Sequence, residues 1–513
     1  MTQHSESEIL LVAINAKYIH TAFGLRYLLA NLNELRSRAT LIEHSINEFP
    51  LTIVESILKH KPKIVGIGVY IWNANVSLEV IRILKAVDSS IKIVLGGPEL
   101  SYEWEKREHL QLCDYLVRGE GEITFYQICA QILAEVPPKE KVWMGKPPDV
   151  TTMSLPYSLY TDEDIAQRVI YVEASRGCPF RCQFCLSSLD QKVRNVPIDI
   201  FLKEMKSLLD RGVRQFKFVD RTFNLAPKIS TAILSFFLNN YVKGLFLHFE
   251  MVPDRFPEVL RSWVQKFPLG SIQFEVGIQT FNEEVAARIA RRQKNAKIDE
   301  NLLFLRNDTQ VHLHTDLIVG LPGEDIDSLA KGFDRLVGLN VQEIQVGILK
   351  RLPGAPIAIH TEDFGMVYSP KPPYEILRNR DWSFLDLARM RRFAKYWDVI
   401  SNSGRFLRTR TLIFGEGSPF AQFLEFSDWL HAQEGKTHAI SQKRMMERLF
   451  TYLTEVCQQP PEDVAQKLYQ DVSRSSKRGH IPALLRPYIK EKRIPNALLE
   501  GTEIPERQKR HLI

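Results

Sequence analysis

Long apolar runs are missing from this 513-residue chain. No stretch of about 18 apolar residues occurs, which argues against a membrane helix. The start, Met1 to Glu8, is polar and acidic and lacks the basic-then-apolar pattern of a secretory signal. A cytoplasmic location is the resulting expectation. Cysteine is scarce, with six in all, so a disulfide framework does not fit a chain of this size. No G-x-G-x-x-G follows the first apolar run, which weakens a nicotinamide-dinucleotide reading. Internal repeats and low-complexity segments are also lacking. The net charge of +6 is too small to imply nucleic acid. It is uneven, however: residues 470–513 hold ten Lys or Arg against five Asp or Glu. That tract reads as a solvated tail or as a contact for RNA or an anionic substrate.

What is present is ordinary globular composition, 44% hydrophobic and 25% charged. Up to about residue 135, short apolar runs such as Ile9–Ile14, Ile64–Ile71 and Ile91–Leu95 alternate with helical spacing. Continuous apolar strands between amphipathic helices predict a doubly wound parallel α/β sheet covered on both faces. Its ligands belong at the carboxyl ends of the strands. There the sequence places Gly96-Gly97-Pro98-Glu99 and Arg118-Gly119-Glu120-Gly121-Glu122. A second αβ series runs from Arg168, with six strand candidates ending at Glu343–Ile348, and predicts a partial or full (β/α) barrel. Beyond about residue 365 the pattern is helical. The expected division is 1–138 as the first domain, 139–165 as a linker, 166–365 as the barrel and 366–513 as a helical domain.

Cys113, Cys129 and Cys457 read as small buried hydrophobes. The other three cysteines fall together in Cys178-Pro179-Phe180-Arg181-Cys182-Gln183-Phe184-Cys185, directly after the first barrel strand. Thiolates at this spacing can wrap three corners of an iron–sulfur cube and leave one iron open. A structural zinc site needs four closed ligands, and no fourth Cys or His lies nearby.

C-x3-C-x2-C after the first strand of a barrel resembles the radical S-adenosylmethionine (radical SAM) superfamily. The resemblance implies a 4Fe-4S cluster on Cys178, Cys182 and Cys185, with S-adenosylmethionine on the open iron. It also implies cleavage to a 5′-deoxyadenosyl radical that abstracts a substrate hydrogen. Phe184 matches the aromatic that packs by the adenine. Phe249-Glu250-Met251-Val252-Pro253 resembles the strand end whose Glu reaches the ribose. Glu275-Val276-Gly277-Ile278-Gln279-Thr280-Phe281 and Asp316-Leu317-Ile318-Val319-Gly320-Leu321-Pro322-Gly323 resemble signatures of the oxygen-independent coproporphyrinogen oxidases and related branches. Gln279, Arg291 and Asp316 are thereby implied at the cofactor, Arg291 as a carboxylate clamp. Val219-Asp220-Arg221-Thr222-Phe223-Asn224 departs from the family, standing where many members have a glycine-rich turn.

The first domain resembles the cobalamin-binding domain fused ahead of many radical SAM proteins. Gly96, Gly97, Gly119 and Glu120 are implied at that cofactor, since small residues allow close approach of a bulky ligand. Asn15–Gly24 lacks the Asp-x-His-x-x-Gly loop, so histidine ligation of cobalt is not expected. His20 reads as a helix-start residue or a substrate contact. The C-terminal region resembles an uncharacterised helical domain of the cobalamin-type branch. Its aromatic and basic stripe, Arg378 to Arg410 with Trp382, Phe384, Phe393, Tyr396 and Trp397 among its members, reads as helix core with a wet face or as a cover for the barrel mouth.

The leading functional expectation is a cobalamin-dependent methyltransferase acting on an unactivated carbon. A cobalamin-independent radical oxidoreductase or rearrangement enzyme is the first alternative, and a non-catalytic iron–sulfur sensor is the second. An enzyme of this kind needs an external one-electron reductant such as a flavodoxin or ferredoxin. No residue is singled out as a general acid, base or nucleophile.

Overall fold

The computed structural model describes residues 7–475, 481–489 and 505–511. Half of the basic tract, namely 476–480, 490–504 and 512–513, lies outside the described residues, and with it part of the expected RNA or anion contact. The chain forms two compact units. One comprises Met1–Asp220, Lys350–Ala358 and Ser369–Glu375; the other comprises Arg221–Leu349, Ile359–Tyr368 and Ile376–Ile513.

The first unit opens with strands β1 (Ile9–Asn15), β2 (Ala39–Ser45), β3 (Ile64–Gly68), β4 (Lys92–Gly96), β5 (Tyr115–Arg118) and β6 (Val142–Met144). They form a six-stranded sheet in the order β2-β1-β3-β4-β5-β6, parallel throughout. Every residue of β1 is buried. Leu10, Val12 and Ile14 feed a core on one face, and Ile9, Leu11 and Ala13 feed a core on the other. Strand order reverses between β1 and β3, which makes their carboxyl ends a topological switch point. β6 comes from the stretch expected as a linker; three residues are too few to carry a readable period.

The same unit holds β7 (Ile170–Val172), parallel to β10 (Gln215–Phe218), and a two-rung antiparallel ribbon of β8 (Ser175–Arg176) and β9 (Arg194–Asn195). Segments 350–358 and 369–375 return to the first sheet. Tyr374 Oη donates to Glu99, Arg107 Nη1 donates to Tyr374 Oη at 2.6 Å, and Arg351 reaches Glu103 at 2.8 Å.

The second unit holds β11 (Phe246–Met251), β12 (Ile272–Gln279), β13 (His312–Val319) and β14 (Glu343–Ile348), which pair in sequence order and in parallel. All six expected barrel strands therefore exist. Helix Ile326–Gly338 turns Phe333 onto Phe393, Trp397 and Phe420. Trp382, Phe393, Tyr396 and Trp397 are each at most 1% exposed and belong to the core, whereas Phe384, at the start of helix Phe384–Trp397, is 53% exposed. Cys113 and Cys129 are buried as expected, but Cys457 is exposed, because it lies just past the end of its helix. Among the described residues no helix is long and apolar enough to cross a membrane.

Candidate functional site

The cysteine loop leaves the sheet after β7 and is pinned at its base. Asp220 accepts from Ala174 N at 3.0 Å and from Ser175 Oγ at 2.6 Å. Burial pushes the Asp220 carboxyl up to about 7. Gly177 has φ +95°, and a Cβ there would sit 2.5 Å from Lys192 O, so the turn requires glycine. Cys178 N donates to Asp190 O at 2.8 Å, and β8 pairs with β9. The 176–194 loop is thus closed around its thiols. Cys178 and Cys182 are buried, and Cys185 is half-buried beside the half-buried Phe184.

At the carboxyl end of the first sheet lies an open cavity of about 670 Å³. Gly24, Gly66, Gly68, Gly96, Gly97, Gly119, Gly121 and Gly145 contribute to its lining, with apolar side chains such as Leu25, Ile67, Val94 and Phe125. Leu186, Leu189 and Asp190, just after Cys185, also line it. No histidine is among its lining residues. A floor of backbone and apolar carbon suits a large, flat, mostly apolar ligand. The glycines differ in why they are glycine. A Cβ on Gly97 (φ +104°) would lie 2.4 Å from Val69 O, so the fold itself demands that one. At Gly119 (φ +77°) the nearest atom to an added Cβ is 3.7 Å away, and the space belongs to the cavity.

The acidic turn after β5 does more than line this cavity. Glu120 takes Arg176 at 2.8 Å and both amino nitrogens of Arg194, while Glu122 Oε1 takes Arg176 at 2.7 Å. These arginines hold Glu120 below the usual carboxylate range despite burial. His20 is not a helix start: it is half-buried, bridges to Val169, and its Nδ1 lies 2.7 Å from Tyr171 Oη.

In the second unit, strand alternation separates two faces. Ile272, Phe274, Val276 and Ile278 are buried, as are Leu313, Thr315, Leu317 and Val319. The opposite face carries Glu275, Gly277 and Gln279 on β12, with His314 and Asp316 on β13, all half-exposed. Gln279 has φ +71° at a β-bulge, and Arg291 donates to Gly277 O and to Gln293 at 2.8 Å. The structure therefore brings Gln279 and Arg291 together around Gly277. Asp316 Oδ1 is buried without a hydrogen-bond partner, its nearest cation being His314 Nε2 at 3.4 Å. Burial raises the Asp316 carboxyl. Burial opposes charge on His314, but Asp316 and Glu343 outweigh it and push the imidazole up to about 10. Glu250 is held by Arg221, whose Nη1 lies 3.0 and 3.2 Å from its two oxygens. The residue that departs from the glycine-rich pattern thus occupies the expected ribose carboxylate.

At the feet of these strands His312, Glu343 and His511 cluster with ligand atoms within 4.8 Å. Arg507 already reaches Glu343 at 2.7 Å, and His511 Nε2 lies 2.9 Å from Asn402 O. Side chains satisfy that carboxylate, and the cluster reads as a structural tie.

Family models match three stretches: the B12-binding domain over 9–128, the radical SAM superfamily over 172–336, and DUF4080, a protein family of unknown function, over 362–508. The chain carries a B12-binding domain followed by a radical SAM domain. The cofactors that go with those two domains are a 4Fe-4S cluster, S-adenosylmethionine and cobalamin. Similar proteins include the cobalamin-dependent radical SAM methyltransferase TokK of Streptomyces tokunonensis, 23% identical over 61% of this chain and 51% of TokK. An uncharacterized methyltransferase of Pyrococcus horikoshii is 26% identical over 40% of this chain and 50% of its own length. The chain spans about half the length of these curated relatives. Among solved structures, the methyltransferase TsrM of Kitasatospora setae, with cobalamin and a [4Fe-4S] cluster bound, superposes with a TM-score of 0.56 at 16% identity. That match covers 71% of this chain and 76% of TsrM, and it shows the fold.

The radical SAM motifs led to Gln279, Arg291 and Asp316 but passed over their neighbours Glu275, His248 and His314. His248 Nε2 lies 3.0 Å from Glu275. Period-two spacing of polar residues, as in His312-x-His314-x-Asp316, was the signal for these. Glu122 was also passed over, although it stands beside Glu120 at the cavity.

Proposed function

We propose that this chain is a cobalamin-dependent radical SAM methyltransferase that places a methyl group on an unactivated carbon. The observation that carries the reading is local to the first unit: Leu186, Leu189 and Asp190 of the cysteine loop form part of the wall of the glycine-lined cavity, which has no histidine among its lining residues. A cluster loop and a corrinoid-sized floor side by side suit chemistry that needs both cofactors near one substrate. Bound together, the cofactors supply a carbon-centred radical and a transferable methyl group.

The chain's own part is to bind, orient and exclude water. Cys178, Cys182 and Cys185 hold the cluster, while Asp220, Gly177 and the β8–β9 ribbon fix their loop. Phe184 supplies a flat apolar surface for the adenine. Arg291 offers a charge-assisted clamp for the carboxylate of S-adenosylmethionine, and Gln279 a neighbouring amide. Asp316, with one oxygen unpartnered, is an acceptor for a ribose hydroxyl or amino group. Glu250 serves the same cofactor once Arg221 releases it or acts jointly with it. Gly96, Gly97 and Gly119 leave the cavity floor open to cobalamin. The family models support a division near 1–138, 166–365 and 366–513, with 139–165 between. Electrons come from an external reductant of the flavodoxin or ferredoxin kind.

The test is anaerobic reconstitution of the full chain with iron, sulfide and cobalamin, followed by absorption spectroscopy and single-turnover assay with methyl-labelled S-adenosylmethionine. Corrinoid and cluster bands, 5′-deoxyadenosine and labelled product are expected. Cluster-dependent cleavage without corrinoid binding would instead establish the cobalamin-independent oxidoreductase or rearrangement enzyme.

A further inference from the structure

Glu122 is an unusual residue on the cavity wall. It begins helix Glu122–Leu133 and is 6% exposed. One oxygen, Oε1, accepts from Arg176 Nη1 at 2.7 Å. The other, Oε2, is buried with no hydrogen-bond partner. An unpaired buried carboxylate oxygen is costly, so its persistence calls for a donor. The surroundings are already rich in negative charge. Glu120, Glu122 and Glu173 share Arg176, while Asp190 and Glu120 share Arg194. Four carboxylates therefore face two guanidinium groups, and no cation is left over for Oε2 within this set. Glu122 lines the cavity together with Glu120, Asp190, Tyr70, Ser101 and Tyr102, and no Lys, Arg or His is among the lining residues.

We propose that Glu122 is a cofactor-binding residue, its Oε2 accepting a hydrogen bond from a primary amide on the edge of a corrinoid seated in the cavity. This rests on the reading of the cavity as a cobalamin site. The assignment commits to a neutral N–H donor, because the local carboxylate excess repels an acid and the two nearby guanidinium groups, Arg176 and Arg194, are already engaged by these carboxylates. It also gives Glu122 a second consequence. The same carboxylate holds Arg176, two residues before Cys178, so a bound corrinoid steadies the base of the cluster loop.

The experiment compares two probes on the full, anaerobically purified chain by absorbance titration. Aquocobalamin carries amides around its ring, and cobyrinic acid carries carboxylates at the same positions. Wild type is expected to bind the amide form at least tenfold more tightly. Glu122→Gln keeps the size and one acceptor but loses the charge; it should weaken aquocobalamin binding about tenfold and narrow the preference over cobyrinic acid. Equal binding of the two probes by wild type overturns the proposal without recourse to any variant. An unchanged preference in Glu122→Gln, with wild-type iron content and circular dichroism, overturns it as well. Binding of neither probe by wild type overturns the cobalamin reading itself, which separates the two failures.

Discussion

Single residues carry the sharpest consequences. Cys178→Ala, Cys182→Ala and Cys185→Ala should each abolish 5′-deoxyadenosine formation, since the cube loses a corner ligand. Iron counting after anaerobic reconstitution checks the cause, and wild-type cleavage by any one of them sinks the assignment. Arg291→Ala should leave cluster content intact while weakening S-adenosylmethionine binding about tenfold or more, read by isothermal titration. Asp220 gives a pH signature. Its native carboxyl is raised to about 7 from an ordinary 3.8, so the folded state holds a proton that the unfolded state has lost. Stability therefore declines as pH climbs from about 4 to about 7, by up to about 4 kcal/mol. Asp220→Asn forfeits one acceptor but removes this slope. Melting of the cluster-free variant should lie below wild type at pH 5 and above it at pH 8. Parallel curves for the two proteins would rule out the buried proton.

At the scale of elements, the legible and illegible parts divide by range. Continuous apolar runs made β1, β3 and β4 readable, because both their faces are covered. The cysteine loop was readable because its three ligands sit in eight residues. What pins that loop was not, since Glu120 meets Arg176 and Arg194 across 56 and 74 positions. No local pattern announces an ion pair at such separations. The same limit hid Arg221 on Glu250 and made Glu120 look like a cofactor ligand alone. Glu120→Gln should loosen the loop while leaving the sheet intact. Its cluster should bleach several-fold faster in air than wild type, with unchanged far-ultraviolet dichroism. Equal bleaching rates would show that the β8–β9 ribbon suffices.

For the whole molecule, fold class, barrel strands and helical C-terminal region were legible from periodicity and spacing, and three family models fall on the same stretches. The cavity was legible only as glycine turns. That eight glycines, from Gly24 to Gly145, share one floor depends on a sheet order no single strand declares. The missing motif near His20 carries an expectation of its own: the paramagnetic spectrum of reduced cobalt should show no splitting from a protein histidine nitrogen. Splitting of that kind would overturn the placement of His20 against Tyr171.

The first unit is built from pieces that leave the ribosome far apart in time. Residues 1–220 are complete long before segments 350–358 and 369–375 appear. At about 5–20 residues per second, synthesis from 220 to 375 takes roughly 8–30 s. Throughout that wait Glu99, Glu103 and Arg107 lack Tyr374 and Arg351, and the sheet's ligand end stays unlatched. Nascent chains stalled near residue 230 should thus be cut more readily by protease around 98–107 than chains stalled beyond residue 410. Birth order, as well as sequence, decides when this unit closes.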